Sequence, residues 1–269
     1  MTRITNPANP TIKAYRALRQ RKARTESGLF LAEGIRLVAE AVQLGAPLQA
    51  LIYAPELLSS PFAEQILVQA AQTGVRILEV SAQVFAGLSG KENPVGLAAV
   101  AHQVWCPLSA VTFTLEKLCW VALDAPQDAG NIGTILRTCD AVGAEGVILL
   151  GNAADPYDPN SVRASMGAIF TQKLVRATHT DFLAWVAGTS ARLIGTAGEA
   201  QTDYRVADYA KPLILLMGSE RAGLPEPLKA ACQALVRLPM RGRCDSLNVA
   251  VACGVMLYTI LSAQQAGEL

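Results

Sequence analysis

Three polar, glycine-punctuated segments each follow a short apolar run, and this repeated order constrains the fold more than any other feature. Asp128-Ala129-Gly130-Asn131-Ile132-Gly133-Thr134-Ile135-Leu136-Arg137-Thr138 lies between the apolar runs Leu118–Leu123 and Gly146–Leu150. Gly218-Ser219-Glu220-Arg221-Ala222-Gly223-Leu224-Pro225 directly follows Pro212–Met217. Leu238-Pro239-Met240-Arg241-Gly242-Arg243-Cys244-Asp245-Ser246-Leu247-Asn248-Val249 follows Ala234–Leu238 and opens a long apolar stretch reaching Ala263. A short apolar run bounded by turn residues reads as a strand buried on both faces, as in parallel sheets. Ligands of open α/β sheets bind outside the carboxyl ends of the strands. Three such loops in one domain therefore predict one composite site.

From residue 118 onward strands and helices alternate. The strands are Leu118–Leu123, Gly146–Leu150, Ala191–Thr196, Leu213–Met217 and Ala234–Leu238. The helices are Ile132–Val142, one from about Ser161, one from about Pro225, and a last one from Asn248 to about Ala263. This alternation predicts an α/β domain with a parallel sheet and helices on both faces. Residues 1–105 read as a smaller α/β domain, with strand-like Gly28–Ala32, Leu48–Tyr53, Val75–Val80 and Gly96–His102. Its helical stretches are Glu33–Leu44, Pro61–Gln72 and Ser81–Gly90. Few periodic signals surround Pro107, which places a linker at 106–117 and the second domain at 118–269. The second domain has neither Gly-x-Gly-x-x-Gly after its first strand nor a Walker A motif, which argues against a dinucleotide or P-loop site.

Hydrophobic residues make up 51% of the chain, enough for a sizeable core. The net charge of +1 does not announce a nucleic-acid binder, but its distribution is uneven. Arg3, Lys13, Arg16, Arg19, Arg21, Lys22 and Arg24 face one acid, Glu26, within the first 30 residues. That segment reads equally well as a phosphate-neutralising arm or as a solvated helix face. No cysteine pair has Cys-x-x-Cys spacing, so no metal site is expected. The N-terminus lacks the apolar core of a signal peptide, and no uninterrupted apolar stretch marks a membrane span. The expectation is a reduced, cytoplasmic protein without membrane contact. His102 and His179 lie in no motif, and Ser165-Met166-Gly167 lacks the leading glycine of a nucleophile elbow.

Asn131/Gly133/Arg137, Gly218/Glu220/Gly223/Leu224 and Pro239/Met240/Gly242/Ser246/Leu247/Asn248/Val249, in that order, resemble the three motifs of the SpoU (TrmH-like) RNA ribose 2′-O-methyltransferases of the SPOUT superfamily. The segment Ser161–Ala168 resembles the family's connector after the second strand. Ala129 and Ala250 depart from the pattern, where Pro and Ser are common. The resemblance implies a deep trefoil knot at the carboxyl edge of the second sheet and an L30e-like, RNA-binding first domain. It also implies S-adenosyl-L-methionine as cofactor, a homodimer through the C-terminal domain, and an RNA substrate. Ribosomal RNA is favoured because the N-terminal module is similar to that of rRNA-directed members. A tRNA enzyme, or a non-catalytic RNA-binding protein on the same fold, is the alternative.

Carried over by position, Thr196, Gly198, Gly218, Leu238 and Leu247 are the candidate cofactor residues, and Arg137, Asn131, Glu220, Ser246 and Asn248 the candidate catalytic ones. Six of them have a plainer reading. Asn131, or the Ser246–Asn248 pair, can cap the helix that follows. Gly218 can serve a turn as well as a close ligand. Glu220 can be a surface acid and Arg137 a surface ion-pair partner.

Overall fold

Asn9 opens the first helix by accepting hydrogen bonds from the Thr11 and Ile12 N–H groups, and Pro10 occupies the position where a missing N–H matters least. The computed structural model describes residues 3–220 and 222–266. The chain forms two units, one comprising residues up to Gln103 together with Asp155–Thr171, the other Val104–Ala154 together with Gln172 onward.

In the first unit α1 (Pro10–Ala17) and α2 (Arg21–Ser27) precede β1 (Leu29–Glu33). Then come α3 (Ile35–Gln43), β2 (Leu48–Tyr53), α4 (Pro61–Gln72), β3 (Arg76–Glu79), α5 (Ala82–Leu88) and β4 (Leu97–His102). The sheet order is β1-β4-β2-β3, with β4 antiparallel to β1 and β2, and β2 parallel to β3. Ile52, Leu78 and Val100 on one face of it pack against Ile12 and Tyr15 of α1 and Phe85 and Leu88 of α5. Before residue 33 the sequence offers a helix only as the solvated-face reading of the basic segment, without bounds. The bounds of α1 and α2 are not readable because their apolar stripe is narrow and their charges dominate.

The second unit starts with β5 (Trp120–Asp124), α6 (Ala129–Val142) and β6 (Gly146–Leu150). The chain then contributes α7 (Pro159–Ala164) to the first unit and returns with β7 (Lys173–Ala177), α8 (His179–Ala187), β8 (Arg192–Thr196) and β9 (Thr202–Asp203). It ends with β10 (Leu213–Met217), α9 (Glu226–Ala231), β11 (Ala234–Arg237) and α10 (Val249–Ala266). The strand order is β7-β6-β5-β10-β8-β11-β9, and every pairing is parallel. Trp120, Ile148, Ile214 and Leu216 pack against Phe182 and Val186 of α8 and Leu228 of α9. The alternate residues Val121, Leu123, Val147, Leu149 and Leu215 are equally buried, so both faces of the sheet are covered.

Helix α10 is 18 residues long with a mean hydropathy of 1.5, enough by length and composition to cross a membrane. It is instead packed on α6, burying Cys253, Met256, Leu257 and Ile260. Gln264 near its end donates to the carbonyls of Leu118 (3.3 Å) and Tyr209 (2.9 Å). Val251 and Tyr258, seven positions apart on one side of the helix, are each 54% exposed.

Arg24 is an exception to both readings of the basic segment, phosphate-neutralising arm and solvated helix face. It is 1% exposed, and its Nε and Nη2 donate to Asp155 (2.8 Å) and Asp158 (3.2 Å). Its Nη1 donates to the carbonyls of Leu18 (2.9 Å) and Arg19 (3.0 Å). Burial of a guanidinium is tolerable only with this degree of pairing, so Arg24 neutralises carboxylates of its own chain. Arg3 likewise pairs with Glu56 and Glu79.

Candidate active site

The loops after β8, β10 and β11 and the approach to α10 enclose a cavity of about 410 Å³, a size typical of small-molecule sites. Parallel pairing sends these three strands out at the same edge, so the loops meet without long connections. Thr196, Gly198, Gly218, Leu238 and Leu247 all line the cavity, as do Glu220 and Ser246. Arg221 lies outside the described residues.

Gly218 is required by the chain's own turn. Ser219 and Gly223 exchange backbone hydrogen bonds of 3.1 and 3.0 Å, with Gly223 in the left-handed region at φ 65°. A Cβ on Gly218 would fall 2.5 Å from the Gly223 carbonyl carbon. Around Gly198, by contrast, a Cβ would meet nothing within 4 Å.

Asn131 does not cap its helix. Asp128 does, accepting from the Gly130 N–H at 2.7 Å, and α6 starts three residues earlier than the apolar pattern suggests. Asn131 is thereby free to join the three motif segments. Asn248 Nδ2 donates to Asn131 Oδ1 (3.0 Å), and Asn131 Nδ2 donates to Glu220 Oε1 (3.1 Å). Asn248 keeps the capping role as well, since its Oδ1 accepts from the Ala250 (2.9 Å) and Val251 (3.3 Å) N–H groups. Glu220 is not an idle surface acid, and Ser246 Oγ donates to Asp245 Oδ1 at 3.1 Å.

Arg137 stands apart. It is six positions beyond Asn131, which turns it about 120° around the helix. It is exposed, does not line the cavity, and has no hydrogen-bond or ion-pair partner among the described residues.

Residues given no role from sequence also line the cavity: Glu199, Lys229 and Asp245. Asp245 could have been found beside Ser246 in its motif, whereas nothing marks Lys229. Lys229 and Glu199 form an ion pair whose hydrogen bond holds the Glu199 carboxyl below the usual range and raises the Lys229 ammonium. His179 is engaged elsewhere, its Nε2 lying 2.6 Å from Oδ1 of the buried Asp124 at the end of β5. Among the described residues no group of three or more His, Cys, Asp or Glu is placed to hold a metal ion.

A parallel α/β unit with a cavity at its carboxyl edge, preceded in sequence by a smaller mixed-sheet unit, defines a two-unit α/β protein, and the comparisons assign both units. Residues 119–258 match the SpoU rRNA Methylase family, and residues 9–99 match the MRM3-like substrate binding domain. The chain is 34% identical to the 23S rRNA (uridine(2479)-2′-O)-methyltransferase of Streptomyces viridochromogenes over 99% of its own length and 94% of that protein. It is 28% identical to the 23S rRNA (guanosine(2553)-2′-O)-methyltransferase RlmP of Bacillus subtilis over 96% of its length and 98% of that protein. The structure of an AdoMet-bound rRNA methyltransferase from Sinorhizobium meliloti superposes with a TM-score of 0.88 at 39% identity, covering 96% of this chain and 97% of that one. The chain belongs to the SpoU rRNA methylase family.

Proposed function

We propose that this protein methylates a ribose 2′-hydroxyl of ribosomal RNA with S-adenosyl-L-methionine. The observation that carries the reading is the chain of hydrogen bonds Asn248–Asn131–Glu220 running between the three motif segments, with Glu220 on the cavity wall. The cavity suits the cofactor electrostatically. Its described lining has three acids, Glu199, Glu220 and Asp245, against one base, Lys229, which favours a ligand with net positive charge.

Bound there, S-adenosyl-L-methionine supplies a methyl group already attached to a good leaving group. Thr196, Gly198, Gly218, Leu238 and Leu247 would hold it. Asn131 and Asn248, locked to each other and to Glu220, keep the acceptor side in one arrangement with Ser246. Arg137 grips the phosphate beside the target ribose and stabilises the alkoxide that develops as the hydroxyl proton leaves to solvent. A guanidinium stays charged in proteins, so Arg137 acts as a cation and not as a base.

The exposure of Arg137 and the outward apolar side of α10 support a homodimer packed through the C-terminal unit, with the site completed at that interface. Light scattering should give twice the chain mass, and Tyr258→Asp should give the monomer. The SpoU family match over residues 119–258 supports a trefoil knot through the last strands. The substrate-binding match over residues 9–99 supports an RNA-binding, L30e-like first unit. Ribosomal RNA is favoured over tRNA because relatives covering nearly the whole chain are named for 23S rRNA. That substrate, together with six free cysteines, supports a cytoplasmic location.

Labelled methyl transfer to separated small-subunit rRNA, large-subunit rRNA and tRNA from a strain lacking this gene tests the reading. Label is expected on a ribose of rRNA, and label on tRNA alone would move the assignment to that class. Arg137→Ala should lower kcat about 10²–10³-fold with cofactor affinity unchanged. Lost cofactor binding with normal turnover at saturation would remove Arg137 from the chemistry. A wild-type protein that binds RNA but not the cofactor would favour the non-catalytic alternative.

A further inference from the structure

We propose that the first unit carries a second ligand site, a cavity that takes one unpaired nucleotide of the RNA chain with its phosphate between Arg19 and Arg163. The proposal rests on the rRNA methyltransferase reading for the identity of the RNA.

The cavity has a volume of about 250 Å³. Leu31, Leu37 and Val162, all buried, form its apolar part, and Arg19, Lys91 and Arg163 supply its cations. Its two carboxylates are already engaged. Glu33 accepts from Ser89 Oγ (2.6 Å) and the Gly90 N–H (3.4 Å) and lies 3.9 Å from Lys91 Nζ. Asp158 is paired with Arg24. Arg19 donates to the Ser89 carbonyl (3.3 Å) and Arg163 to Asn160 Oδ1 (2.7 Å), both neutral acceptors. Among the described residues neither guanidinium has a carboxylate partner, although both are exposed and line the same cavity.

Two uncompensated guanidinium forks beside an apolar floor fit a group with a planar apolar part and a phosphate. The volume is on the scale of one nucleotide rather than of several. Proteins that read RNA by sequence take such bases from single-stranded loops and bulges. The cavity also accounts for the excursion of Asp155–Thr171 into the first unit. The Arg24 ion pairs tie this segment down, and Arg163 comes with it.

The test uses the full chain, with KM for large-subunit rRNA and filter retention of the same RNA as readouts. Arg19→Ala and Arg163→Ala should each raise KM and weaken retention about tenfold, with kcat and S-adenosyl-L-methionine affinity unchanged. Arg163→Lys, which keeps the charge and loses the fork, should recover only part. Lys13→Ala, exposed on α1 and outside the cavity, is the control for general attraction to phosphate. Cavity variants indistinguishable from Lys13→Ala would overturn the proposal. So would free guanosine or uridine monophosphate that displaces rRNA equally from wild type and Arg163→Ala. A wild-type protein that retains rRNA but never methylates it would overturn the methyltransferase reading alone, because retention still judges the cavity.

Discussion

The two sheets solve the placement of function in different ways. In the second unit every strand pairing is parallel, so the loops after β8, β10 and β11 leave from one edge and close on a single cavity. In the first unit β4 runs against β1 and β2, so strand ends are divided between two edges. Its cavity is assembled by bringing in a distant segment and fastening it with the ion pairs of the buried Arg24. A parallel sheet gathers loops through topology, whereas a mixed sheet must gather them through side chains.

The most severe test of that contrast is Arg24→Ala. It leaves Asp155 buried without its cation and should cost about 3–5 kcal/mol, read as a lower midpoint in chemical denaturation. Binding of S-adenosyl-L-methionine to the folded variant should be unchanged. If the cofactor site fails as well, side-chain ties matter to both cavities and the contrast breaks. Next is Gly218→Ala, whose Cβ would sit 2.5 Å from backbone. Overpacking of this kind costs about 1–3 kcal/mol, and the turn it distorts should weaken cofactor binding in calorimetry. Asn131→Ala removes two hydrogen bonds, about 1 kcal/mol each, and should lower the melting temperature by a few degrees, with kcat falling as the three motif segments lose their tie. The mildest is Gly198→Ala. Open space around that residue predicts unchanged stability, so any loss of cofactor affinity would come from the ligand's side of the cavity.

The second unit was the more legible in sequence, for a physical reason. Strands such as Gly146–Leu150 and Leu213–Met217 are buried on both faces and appear as unbroken apolar runs between turn residues. The edge strand β7, Lys-Leu-Val-Arg-Ala, buries only Leu174 and Val175 and leaves no such signal. The sequence pattern leaves helix α8 unmarked as well. The residues around the larger cavity could be placed because each follows a strand end. The burial of Arg24 could not, since its carboxylates lie 131 and 134 positions away and a basic run looks the same solvated or buried. Nor does motif spacing show that Asp128, and not Asn131, caps α6. The cap decides which side of the first turn Asn131 occupies, and with it whether the three motifs touch.

Those touching amides have one further consequence. An ionised carboxylate can only accept, so Glu220 compels Asn131 to present its amide nitrogen there and its oxygen to Asn248. Asn248 must then present its own nitrogen, which leaves its oxygen for the first turn of α10. The polarity of the whole row is dictated from one end, like a zip that closes in a single sense. A Glu220→Gln protein would keep every atom in place yet permit the row to run either way, and in the reversed sense α10 would lose its cap.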